Sequence, residues 1–364
     1  MMASTQRPIM VMAGGTGGHV FPALAVANYL RDQGESIVWM GTQNGIEARL
    51  VPADNFPIEW LKVQGLRGKG LLVKAMAPFK LLQACFQALQ LLRKHRPKAV
   101  LGMGGFASGP GGLMAWLLGI PLIIHEQNAV TGLTNKYLSR VATLKYFAFP
   151  QAALKFCGSI VVGNPVRKDI IGLEHPSTRL KGHDNQRLNL LVVGGSLGAR
   201  SLNQTLPAAL SLIEQENRPA VHHQCGAKHL VDCQKRYREF QVEGEIMEFI
   251  DDMPAAYASA DLVICRAGAL TIAELAAAGL ASILVPFPYA VDDHQFANAA
   301  FLSDAGAALV VRDEDFSADY LAQKIAHFSR HRSELVEMAC RAREIAYTDA
   351  TEQVAKGILQ EALA

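Results

Sequence analysis

Between Glu59 and Glu126 this chain of 364 residues has no acidic residue, while Lys62 to Lys98 holds nine lysines or arginines. Formal net charge is only +2, so the imbalance is local. It predicts one face that attracts anions such as phospholipid headgroups, phosphates or nucleic acid. The six cysteines, at 85, 157, 225, 233, 265 and 340, show no CxxC or Cys/His spacing, which argues against a zinc site and a disulfide framework and fits a reduced, cytosolic interior. No signal-like apolar region opens the chain. The longest apolar run, Leu113 to Ile124, is interrupted by Gly119 and Pro121 and falls short of the ~20 residues of a membrane helix. Any membrane contact is therefore expected to be peripheral. No Walker A motif occurs, and the turn Gly14 to Gly18 lacks the G-x-G-x-x-G order, with no acidic residue ending the second strand to hold a ribose. A P-loop NTPase and a dinucleotide enzyme both fit poorly. Aromatic RNA-binding signatures are absent, which argues against a nucleic-acid-binding module.

What is present is a repeated pattern. The length predicts two domains at ~100 to 200 residues each. PIMVMAGGTGGHVFPALAVANYLRDQG reads as strand, glycine turn and helix, and LNLLVVGGSLGARSLNQTLPAALSLIEQ restarts the same pattern, with Gly195, Ser196 and Gly198 standing where Gly15, Thr16 and Gly18 stood. Such halves form two doubly wound, parallel-sheet domains with a cleft between them, and GNPVRKDI, where Pro165 forbids regular helix, reads as the linker. A glycine turn at a helix start offers free N–H groups and a helix dipole to a negative oxygen, although a structural turn capped by Thr16 would read the same. His19 lies in the first turn of that helix. His125, Glu126 and Asn128 end another strand in HEQN, where helix capping is the plainer role. In DLVICRAGALTIAELAAAGLASILVPFPYAVDDHQFAN two buried strands alternate with helix starts, so Arg266, Thr271, Glu274, His294 and Gln295 are expected to converge at the carboxyl ends of the strands. Leu71, Leu72, Val73, Met76 and Phe79, flanked by Lys69, Lys74 and Lys80, read equally as the core face of a helix or as a patch that sits on a membrane; the acid-free surroundings favour the membrane.

Taken in order, AGGTGGHVFPALAVA, GLRGKG, GMGGFASGPGG, HEQN, GNPVR, GGSLGAR, FIDDM, CRAGALTIAEL and DDHQFANA resemble the MurG family of peptidoglycan N-acetylglucosaminyltransferases, from about Pro8 to the last helix. The resemblance implies a GT-B fold of two Rossmann-like domains: residues 1–164 for the acceptor and the membrane, residues 165–345 for the UDP-GlcNAc donor, and a helix of about 346–364 packing back on the first. It implies transfer of GlcNAc from UDP-GlcNAc to the C4 hydroxyl of the muramyl sugar of lipid I, with inversion, giving lipid II and UDP at the cytoplasmic face of the bacterial inner membrane. UDP-GlcNAc, lipid I and an anionic membrane surface are the implied partners, with no cofactor, no metal and no nucleic acid. Carried onto this chain, donor contacts fall on Thr16, Gly17, Gly18, Asn128, Arg167, Ser196, Ile250, Arg266, Ala269, Leu270, Thr271, Ile272, Ala273, Glu274, His294 and Gln295. Glu274 would accept both ribose hydroxyls, the Ile250 backbone would read uracil, and Ser196 with its turn and Arg266 would hold the diphosphate. His19 is the expected general base, with Glu126 its rival, because a carboxylate in a closed site can have a raised pKa. His125 and Asn298 fall on the acceptor side. Phe106, Leu197 and Ala267 depart from a frequent tyrosine, glutamine and serine of the family.

Overall fold

The computed structural model describes residues 7–62, 77–183, 186–195 and 198–363. The chain forms two compact units, Met1–Val166 with Thr348–Ala364, and Arg167–Tyr347.

In the first unit seven parallel strands stand in the order β3-β2-β1-β4-β5-β6-β7. They are β1 (Ile9–Met12), β2 (Ile37–Gly41), β3 (Ile58–Trp60), β4 (Ala99–Gly102), β5 (Leu122–Glu126), β6 (Leu144–Phe147) and β7 (Ser159–Val161). The central strands are apolar at nearly every position because helices cover both faces of the sheet. Those helices include α1 (Gly17–Asp32), α2 (Glu47–Ala53), α3 (Ala77–His95), α4 (Gly105–Leu117) and α5 (Leu133–Leu138). One core layer joins Val20, Ala23, Val26 and Leu30 of α1 to Val354, Ala355 and Ile358 of the helix Ala350–Leu363, so the end of the chain completes the first unit. The other layer joins Ala88 and Leu92 of α3 to Ala107 and Ala115 of α4. Close approach of α4 to the sheet depends on Gly111, where a Cβ would overlap the Met12 sulfur.

The second unit has six parallel strands in the order β10-β9-β8-β11-β12-β13. They are β8 (Asn189–Val193), β9 (Ala220–Gln224), β10 (Glu245–Met247), β11 (Leu262–Cys265), β12 (Ser282–Leu284) and β13 (Ala308–Val310). Its helices include α6 (Arg200–Ser211), α7 (Met253–Ser259), α8 (Ala269–Ala278) and α9 (His294–Ser303). Gly279 ends α8 in the left-handed conformation, φ 61°, the stop expected of a glycine there. In both units the winding reverses beside the first strand, between β1 and β4 and between β8 and β11. Ligands of open parallel sheets bind at such reversals, off the carboxyl ends of the strands. Both glycine turns lie at these two places.

Candidate active site

In the first unit the turn after β1 is held from below. Glu47, fully buried at the start of α2, accepts from Gly15 N (2.9 Å) with one oxygen and from Thr42 N (3.0 Å) and Thr42 Oγ1 (2.6 Å) with the other. Gly14, Gly41 and Gly45 surround it, and a Cβ on Gly14 or Gly45 would overlap the carboxylate. Sequence reading passes over Glu47, since an acidic residue in the first turn of a helix ordinarily faces solvent. Thr16 takes the N-cap position of α1 without a side-chain cap bond; its Oγ1 lies 3.4 Å from His19 Nδ1. The plainer alternative for Thr16, a helix-capping side chain, is therefore not what the structure shows. The half-buried His19 ring packs on the turn after β4, where a Cβ on Gly104 (φ 86°) would come within 3.1 Å of it. Gly105 presses on Gly14 O in the same way. Two helix N-termini, a histidine and an exposed threonine thus meet at the reversal of the sheet.

HEQN behaves differently. Glu126 is buried, and its two oxygens accept from Asn128 N, Gly132 N and Asn135 Nδ2, each at 3.0 Å. Burial raises its pKa and these donors lower it, with a net rise. It organises the loop Asn128–Gly132. His125 is also fully buried: Nε2–H donates to Gly163 O (2.9 Å), which leaves Nδ1 to accept from Gln127 Nε2 (3.1 Å). Burial pushes its pKa down to about 4, so the ring is neutral at pH 7. An acceptor-side contact for His125 is therefore corrected to a structural role.

In the second unit Gly195 repeats the part of Gly15, with a different partner. Gln224, at the end of β9, accepts from Gly195 N (3.1 Å) and donates to Gly195 O (3.0 Å) and Glu248 O (3.1 Å). It ties the glycine turn to the strand-end segment that carries Ile250, whose side chain is buried. Ser196 lies outside the described residues. At the reversal, Glu274 of α8 stands half-buried with the Tyr257 hydroxyl donating to Oε2 at 3.0 Å. Loss of solvent raises its pKa to about 7, against the opposing pull of Arg167 and Tyr257. Leu270, Thr271 and Ala273 of the same helix are half-exposed, whereas the Ile272 side chain is fully buried and the Ala269 side chain nearly so; these two can meet a ligand only through backbone.

Three residues expected at the site also hydrogen-bond within the loops. Arg266 donates to Val285 O (3.0 Å), Pro286 O (3.2 Å), Asp313 Oδ1 (2.6 Å) and Ser201 Oγ (2.9 Å). A guanidinium so engaged pins the strand-end loops together. Asp313 opens the run Asp313-Glu314-Asp315, a DxD in letters, and its carboxylate also accepts from Ser201 Oγ (2.6 Å). Asn298 is fully buried in the second unit and donates to Ala267 O (3.2 Å), so the acceptor-side expectation fails. Gln295 Oε1 accepts from Phe287 N (2.9 Å), and His294 opens α9 half-buried after two left-handed residues, Asp292 and Asp293. Among the described residues the one group of three metal-ligating side chains that converge is His327, His331 and Glu334, which are exposed and include no expected site residue.

Of the membrane patch, Leu71, Leu72, Val73 and Met76 lie outside the described residues, and Phe79 is exposed. Leu82 and Phe86 of α3 extend it at helical spacing, and Phe106, Leu113, Trp116 and Leu117 of the neighbouring α4 are also exposed. No helix among the described residues is long and apolar enough to cross a membrane.

Two Rossmann-like units, each with a glycine turn at the reversal of its sheet, define the GT-B class of glycosyltransferases. Residues 9–146 match the glycosyltransferase family 28 N-terminal domain and residues 189–355 the glycosyltransferase family 28 C-terminal domain, and the chain belongs to this family. It is 51% identical over 98% of its length, and 99% of the relative's, to the UDP-N-acetylglucosamine--N-acetylmuramyl-(pentapeptide) pyrophosphoryl-undecaprenol N-acetylglucosamine transferase of Methylococcus capsulatus. The crystal structure of MurG from Acinetobacter baumannii superposes with a TM-score of 0.82 at 42% identity, covering 97% of this chain and 99% of that one. UDP-GlcNAc 2-epimerase from Neisseria meningitidis shares the fold alone, with a TM-score of 0.67 at 11% identity over 97% and 99% of the two chains.

Proposed function

We propose that this glycosyltransferase moves GlcNAc from UDP-GlcNAc to the C4 hydroxyl of the muramyl sugar of lipid I, forming lipid II and UDP for peptidoglycan synthesis. The observation that carries the reading is the identity of about half the residues, end to end, with relatives named for this reaction. The second unit takes the donor. Glu274 accepts the ribose hydroxyls, the backbone of Ile250 reads uracil, the turn at Gly195 and Ser196 receives the diphosphate, and His294 and Gln295 flank the sugar. The first unit takes the acceptor. His19, steadied by Thr16 and Gly104, removes the proton from the attacking hydroxyl, and attack from the face opposite UDP inverts the anomeric carbon. Glu126, already engaged by three loop donors, is the weaker choice of base. Backbone N–H groups and the dipole of α6 stabilise the leaving diphosphate, which departs without a metal. The exposed apolar residues of α3 and α4, on a stretch free of acids, seat the enzyme on the cytoplasmic face of the plasma membrane, where lipid I resides.

The deciding experiment is UDP release from UDP-GlcNAc, with and without a lipid I analogue, in EDTA. Release that requires the acceptor and survives EDTA is expected. Release indifferent to the acceptor would replace this reading with an epimerase or hydrolase on the same fold.

A further inference from the structure

The Tyr257 hydroxyl joins two elements that follow non-adjacent strands. α7 follows β10 and α8 follows β11, and β9 and β8 stand between those strands in the sheet. The start of α7 is fixed just after Ile250, where Asp252 takes the N-cap position and its carboxylate accepts from Ala255 N (3.0 Å). α7 packs on β8, and the Tyr257 ring is 1% exposed, so its hydroxyl is carried on a closely packed, rigid support. Burial raises the phenol's pKa well above its ordinary 10, which keeps it protonated and able to donate. It donates to Glu274 Oε2 at 3.0 Å. Glu274 is half-buried on a side chain with three torsions, and such a chain loses rotamer freedom when a ligand fixes it unless it is already held. A carboxylate offers about four lone pairs on its two oxygens, so one bond from Tyr257 leaves room for two further donors. Loss of solvent favours the protonated carboxyl, and Arg167 and the Tyr257 bond oppose it. If the bond served only the tyrosine's own hydroxyl, deleting that hydroxyl would leave ligand binding untouched.

We infer that Tyr257 is a positioning residue for the nucleoside: its hydroxyl ties the Glu274 carboxylate to the helix that follows Ile250 and aims the remaining lone pairs at the ribose hydroxyls, so that ribose is preferred to 2′-deoxyribose. Tyr257 acts through Glu274 and does not itself meet the ligand. The inference rests on the second unit being the donor site, with Glu274 on the ribose.

Titration calorimetry of the full chain with UDP and with 2′-deoxy-UDP separates the two readings. Wild-type protein is expected to prefer UDP by about tenfold, and Glu274→Ala to lose that preference. No preference in the wild type, or its survival in Glu274→Ala, would sink the ribose reading and this inference with it. Tyr257→Phe keeps the buried ring, deletes only the hydroxyl and leaves the half-buried Glu274 to water, so the fold is retained. It is expected to weaken UDP about fivefold and 2′-deoxy-UDP no more than about twofold, which shrinks the preference. Both ligands unchanged, or both weakened alike, would overturn the positioning role and leave the donor reading standing. In turnover, Tyr257→Phe should raise KM for UDP-GlcNAc with kcat within about twofold of wild type, because the carboxylate binds substrate and transition state alike. A fall in kcat at unchanged KM would overturn the inference. In a Glu274→Ala background the same substitution is expected to change UDP affinity less than about twofold, as it must when one residue acts through the other. An undiminished effect there would show that Tyr257 acts on the fold and not on the carboxylate, and would refute the inference.

Discussion

Glu274 is the residue on which donor binding is expected to depend most directly. Losing a charged hydrogen-bond acceptor costs ~1.5–3 kcal/mol, so Glu274→Ala should raise KM for UDP-GlcNAc roughly 10- to 100-fold in steady-state assays. Its pKa, raised from 4.5 to about 7, sets a sign for pH dependence. Below about 7 the carboxyl of the free protein holds a proton, and ribose hydroxyls donate better to the ionised form. UDP affinity measured by calorimetry should therefore improve as pH rises from 6 to 8, and Glu274→Gln should flatten the curve. For folding the sign is opposite: the folded unit keeps a proton that the unfolded chain releases above 4.5, so this group's contribution falls as pH rises from 4.5 to about 7. His19 is tested by His19→Ala, which should bind UDP as the wild type does and turn over ~100-fold more slowly or worse. Near wild-type turnover would return Glu126 to consideration. The residue types of Glu274 and His19, and their place in the helices that follow β11 and β1, were legible in the sequence. Glu47 and Gln224 were not, since their partners stand 32 and 29 residues away and only folding brings them together.

Among the elements, α3 and α4 pair on the first unit and leave Phe86 and Trp116 60% and 48% exposed. Each side chain still buries roughly half of its surface, so Phe86→Asp with Trp116→Asp should lower the melting temperature while leaving the protein folded, and should reduce sedimentation with anionic vesicles. Undiminished vesicle binding would remove this face from the membrane. The helical spacing Phe79, Leu82, Phe86 is visible in the sequence, yet periodicity cannot distinguish an apolar stripe facing the core from one facing outward. Burial of Ala84, Ala88 and Leu92 on the opposite side decides it. The strand-end loops of the second unit behave in a related way. A motif such as CRAGAL advertises an arginine near the ligand, and the tertiary partners Ser201 and Asp313 turn that arginine into a brace.

For the whole molecule, the chain leaves the first unit after Val166 and returns to it at Thr348. Val354, Ala355 and Ile358 of the last helix are fully buried in the first core, so Ile358→Ala should destabilise that unit by ~2–5 kcal/mol in denaturant unfolding while UDP binding by the second unit persists. A loss of UDP affinity in parallel would show the two units to be energetically inseparable. The sequence by itself determined the duplicated α/β pattern, the parallel sheets and the place of both glycine turns, because doubly covered strands must be apolar throughout and a tight strand-to-helix turn requires glycine. Tertiary structure alone decided which polar residues remain open to a ligand and which are consumed in holding loops. Burial of Glu126, His125 and Asn298, the brace around Arg266 and the carboxylate beneath Gly15 arise from contacts between segments far apart in the chain, and a buried polar group must satisfy its hydrogen bonds with whatever the fold places beside it.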